Sequence, residues 1–137
     1  MNGLRRKARE LALQCLYQVD QSGNPEAGID LIRQNFQAAK KAVEYGETLV
    51  TGVKAHRSEL DILIEKHADN WKVGRMAVID RNILRIALYE MLYAPDVPDA
   101  VAVNEALEIA KRFSSDESPA FINGILDAYC KAPSDAG

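Results

Sequence analysis

The chain has 137 residues, of which 47% are hydrophobic, with two cysteines and a formal net charge of -3. That length and apolar content suit one compact domain that needs neither disulfides nor metals to hold it, and a pI near 5.4 excludes a general DNA-coating protein, which would be basic over a whole face. Cys15 and Cys130 make no disulfide framework and have no partner at metal-ligand spacing, the first residues carry no apolar signal core, and no run approaches the ~18 apolar residues of a membrane span, so a soluble cytoplasmic protein with reduced thiols is expected.

Charge is unevenly spread. Arg5, Arg6, Lys7 and Arg9, four of the 17 basic residues, fall in the first nine positions, which contain no acid, so removing their four positive charges from -3 leaves -7 on the other 128 residues. They open a predicted helix over residues 4–20, capped by Asn2 or Gly3, where backbone N–H groups already present positive potential and each added cation costs a few tenths of a kcal/mol. Such a run suits an anionic partner, nucleic acid above all, or a solvated terminus. Ala8, Leu11, Ala12, Cys15, Leu16 and Val19 form the apolar stripe of this helix, which makes Cys15 a packing residue. Arg9, Leu13 and Tyr17 recur every four residues on a flank, and either meet a neighbouring helix or form a second sticky surface.

Gln21-Ser22-Gly23-Asn24 ends the first helix, and Asn24-Pro25-Glu26 starts another, with Asn24 as cap and Pro25 at its first position, built on Ile29, Ile32 and Phe36. One long helix is expected over residues 40–67, the pattern breaks at Asp69-Asn70-Trp71, and a strongly apolar helix over 78–92 reads as the core. Pro95 and Pro98 precede a helix over 99–113, and Ser118-Pro119 caps the last one, with Ile122, Ile125 and Leu126. No alternating strand pattern appears, so residues 1–132 read as a single all-α domain with an N-terminal half of about 4–68 and a C-terminal half of about 71–131. Residues 133–137 read as a flexible tail.

Catalytic chemistry leaves no trace in the spacing. There is no nucleotide-binding glycine pattern, His56 and His67 lie 11 apart on one predicted helix, and the pairs Glu44/Glu47 and Glu105/Glu108 read as solvated acids rather than metal ligands. No enzyme activity and no cofactor are expected.

Three blocks, RRKARELALQCLYQ at residues 5–18, LRIALYEML at 84–92 and VNEALEIAKRFSSDESPAFINGILD at 103–127, appear in this order across nearly the whole chain, which closely resembles the NusB transcription antitermination factors. The resemblance implies two packed three-helix subdomains without enzyme activity. It further implies binding of single-stranded boxA RNA from ribosomal RNA leader transcripts, together with NusE, a small-subunit ribosomal protein, in an antitermination complex on RNA polymerase. By this resemblance Arg5, Arg6, Lys7 and Arg9 contact RNA and Phe121 lies against it, although the residues alone read Phe121 as a core ring facing Ile122 and Ile125. Tyr17, Asp80 and Glu117 match family positions on or near the NusE and RNA surface. Some family members form homodimers, and an interaction module or homodimer without specific RNA binding is the alternative reading. Four phosphate contacts would give a slope of log affinity against log salt of about -3.

Overall fold

The computed structural model describes residues 2–24, 26–28 and 40–132, and all regular structure among them is helical. In chain order the elements are α1 (Asn2–Ser22), α2 (Lys40–Ala55), α3 (Arg57–Lys66), a 3-10 turn (Val73–Arg75), α4 (Val78–Tyr93), α5 (Asp99–Phe113) and α6 (Ser118–Lys131). The expected helix on Ile29, Ile32 and Phe36 and the expected tail over 133–137 lie outside the described residues.

α1 starts at Asn2, so Asn2 and Gly3 are inside the helix rather than capping it. It ends as its sequence predicts, with Gly23 at φ +71 and its N–H bonded to the Val19 carbonyl at 2.9 Å, a left-handed stop that glycine adopts without steric cost. Ala8, Leu11, Ala12, Cys15 and Leu16 are buried as expected, but Leu13 is buried too. Its flank lies against Ile83, Ile86 and Ala87 of α4 and Ala106 and Ile109 of α5. α1 is thus covered on two sides, and only the Tyr17 end of the flank stays half-exposed.

Close approach on the other side of α1 depends on two glycines. A Cβ on Gly46 of α2 would sit 3.3 Å from the Ala8 carbonyl oxygen. Gly28, at φ +88, is tighter: a Cβ there would lie 2.7 Å from Cys15 Sγ and 2.8 Å from Cys15 Cα. Gly28→Ala combines a disfavoured left-handed torsion with overpacking against a backbone and is expected to cost about 2 kcal/mol, read as a lower urea midpoint at unchanged slope.

The helix expected over 40–67 is two helices. His56 leaves helical torsions at φ -114 and ψ 18, its ring stacks on Tyr93 with centroids 4.2 Å apart, and its Nδ1 lies 3.4 Å from Glu59. Those side-chain contacts stabilise the break, and α3 packs on α4 beyond it. α4 is the central helix: Ile83, Leu84, Ile86, Ala87 and Leu88 are buried, and one core cluster joins them to apolar residues of all five other helices.

Candidate nucleic-acid interface

The four N-terminal cations fall into three environments. Arg9 is only 3% exposed, the opposite of a solvent-facing phosphate ligand. Its Nε and Nη2 donate to the two Glu90 carboxylate oxygens at 2.8 and 3.0 Å, and Nη1 donates to Glu105 at 3.2 Å. Glu90 also accepts from the Tyr45 hydroxyl, and burial followed by that bond pushes the Tyr45 hydroxyl pKa far above its ordinary value. Arg6, on the next turn, is half-exposed and donates Nε and Nη2 to Glu105 at 3.1 and 2.6 Å. Arg5 pairs with Asp96 and lies over the Tyr45 ring, 4.7 Å from its centroid. Lys7 makes no ion pair with a described residue.

Two sequence-based expectations change as a result. Glu105 is a buried anchor rather than a solvated acid, with the Arg6 bond holding its carboxyl pKa below the ordinary range despite burial. The basic cluster is also largely neutralised within the fold: Glu105, Glu90 and Asp96 answer three of its four charges. Arg9 therefore organises the helix tip from inside, because its guanidinium is enclosed by carboxylates on two helices. Lys7 and the outer edges of Arg5 and Arg6 remain facing solvent.

Phe121, on the first turn of α6, is half-buried rather than deep in the core. It meets Trp71 edge to face, centroids 5.9 Å apart and planes at 76°. Both rings line a cleft of about 260 Å3 with Arg75, Asp80, Ser115 and Glu117. From the arginine tip a groove runs along the outside of α5, lined by Arg6, Glu10, Glu108, Lys111 and Arg112. Arg112 donates to Glu10 at 3.0 Å yet remains 67% exposed, which extends the cationic edge toward Phe113 and the α5–α6 connector. From Glu105 to Phe113 this path is about 12 Å long at the helical rise.

The three expected partner residues separate. Tyr17 lines an apolar groove of about 390 Å3 with Leu13, Gln14, Gln18, Ile79 and Phe113. Glu117 is exposed beside the aromatic cleft. Asp80 is 7% exposed and turned inward: it accepts from Ser114 at 2.6 Å and Ser118 at 3.0 Å, clasping the α5–α6 connector to α4. Each Asp80 oxygen holds one hydroxyl, and the residue still borders the cleft shared by Trp71, Glu117 and Phe121. Sequence reasoning passed over Glu90, Tyr45, Trp71, Arg75 and Arg112. The clearest available signal was a lone tryptophan at a break in the helical pattern.

Fold and site together define an all-helical scaffold with cations along one edge and an aromatic corner at its end. The chain belongs to the NusB family, whose model matches residues 6–131. It is 51% identical over 127 residues to the transcription antitermination protein NusB of Desulfatibacillum aliphaticivorans, covering 92% of this chain and 89% of that one. Among solved structures, T. maritima NusB aligns with a TM-score of 0.83 and 36% identity, over 94% of this chain and 93% of that one. A structure of the antitermination factors NusB and NusE in complex with dsRNA aligns with a TM-score of 0.82 and 28% identity, over 97% of this chain and all of that one.

Proposed function

We propose that this chain is a cytoplasmic, non-catalytic RNA-binding antitermination factor. It binds boxA-type single-stranded RNA together with NusE and supports transcription of ribosomal RNA operons as part of a complex on RNA polymerase. The observation that carries this reading is the near full-length match to a NusB solved with NusE and dsRNA. A half-exposed Phe121 supports a single strand over a duplex, because only unstacked bases can lie on an aromatic plane. Arg5, Arg6 and Lys7 hold phosphates, Arg9 fixes the tip from within, NusE covers the Tyr17 groove, and Glu117 stands apart from it on the aromatic cleft. A net-negative chain with so few free cations binds RNA weakly alone, so a partner that lays further positive charge beside it raises affinity without a new fold.

Fluorescence anisotropy of labelled boxA and scrambled RNA, with and without NusE across a salt series, tests this. The expected result is a preference for boxA that grows with NusE. With Arg9 withdrawn from phosphate contact, the slope of log affinity against log salt for the chain alone is expected near -2, from three contacts at ~0.7 each, rather than -3. Equal binding to both RNAs would overturn the proposal in favour of a protein-interaction module or homodimer, for which the apolar Tyr17 groove is the available surface.

A further inference from the structure

We propose that Trp71 and Arg75 form a nucleotide subsite with Phe121, in which one unstacked base lies on the Trp71 face while Arg75 holds its phosphate. The proposal rests on the RNA-binding reading above and assigns it two further residues. Trp71 is 50% exposed, unusual for the largest apolar side chain unless something covers it. Its plane stands nearly perpendicular to Phe121, so the two rings form an open corner: a base stacked on one ring presents its edge to the other.

The backbone before this corner is unusual as well. Asp69 and Asn70 both take left-handed torsions, φ +41 and +70, and turn the chain sharply out of α3 immediately before Trp71. Asparagine and aspartate tolerate that region better than other residues with a side chain, but two in succession store strain. Downstream, the turn is fastened by the Val73 N–H, which donates to Glu65 at 2.8 Å. Arg75 closes the 3-10 turn with its side chain exposed and no ion pair to a described residue, unlike Arg5, Arg6, Arg9, Arg57, Arg81, Arg85 and Arg112. Glu117 stands on the same cleft, an acceptor for the amino or imino hydrogens of a base edge. A cation, an aromatic plane and a carboxylate match the phosphate, the flat ring and the donor edge of one nucleotide.

Trp71 is the only tryptophan in the chain, so its emission reports this subsite directly. Titrating the full chain with NusE and unlabelled boxA RNA is expected to quench Trp71 emission with the same midpoint as the anisotropy change of labelled RNA. Trp71→Ala should weaken RNA binding about tenfold, Trp71→Phe should retain most of it, and the urea midpoint reports whether either variant is destabilised. Counting Arg75 as a fourth phosphate contact takes the expected salt slope from about -2 to about -3, and Arg75→Ala should restore the shallower value. Saturating RNA binding with unchanged Trp71 emission and full affinity in Trp71→Ala would overturn the subsite while leaving the RNA-binding reading intact. Loss of boxA preference in the unmodified chain would instead sink that reading itself.

Discussion

Arg9→Ala is expected to lower the unfolding free energy by about 3–5 kcal/mol, because it strands buried carboxylates whose desolvation its guanidinium offsets. Glu90 would keep only the Tyr45 hydroxyl, and Glu105 only Arg6. Arg6→Ala should cost far less, since Arg6 is 45% exposed and Arg9 still neutralises Glu105. Urea denaturation of the two variants checks the contrast. Arg9→Ala combined with Glu90→Gln should recover part of the loss, since a neutral amide still accepts the Tyr45 hydroxyl and no longer buries a lone charge. Near-equal effects of the two single variants would show that the Arg9 site admits water. The contrast also decides how RNA measurements are read: a binding defect in Arg6→Ala reports a lost contact, whereas one in Arg9→Ala mixes contact with a disordered helix tip.

The helical skeleton was legible because its signals are local. The stop at Gly23, the start after Pro98 and the apolar run of α4 each depend on residues within a few positions of one another. The break at His56 was not, because it is stabilised by Tyr93, 37 positions away, and helical periodicity on either side runs through it. The roles of the arginines were hidden for the same reason. Arg9 and Glu90 are 81 positions apart, and nothing in a basic run shows which members face inward. The family resemblance pointed to Phe121 but not to Trp71, whose place beside it depends on two left-handed residues and a tertiary approach. Glu105 and Glu108 look alike in sequence, and only packing separates the buried anchor from its half-exposed neighbour.

Asp20→Ala should destabilise the protein by about 3 kcal/mol, and the reason mirrors that for Arg9. An acid in the last turn of α1 opposes the helix dipole, as do arginines in the first. Both ends are compensated from α4: Arg9 meets Glu90 near its C-terminus, while Asp20 accepts from Arg81 at 3.0 Å, Asn82 at 2.8 Å and Arg85 at 3.1 Å near its start. The two clamps hold α1 antiparallel to α4 and fix its register, so a one-turn slip would break both at once. Asp61→Ala is the control: Asp61 is more exposed, and Arg85 would keep Asp20, so the cost should be smaller. Burial alone would raise the Asp20 pKa, but bonds from Asn82 and Arg81 and the charge of Arg85 outweigh it and leave the carboxyl below its ordinary value. The unfolded chain therefore takes up the proton first. The stabilisation is complete above the unfolded value of about 3.9 and is lost as pH falls through that value and the lower folded one. Glu105, depressed in the same direction, adds to this acid limb. Urea midpoints measured from pH 7 down to pH 3 should fall more steeply for the unmodified chain than for Asp20→Asn, with the two curves converging in acid. Parallel curves would mean that the Asp20 carboxylate carries no net stabilisation and that the register of α1 is set by apolar packing alone.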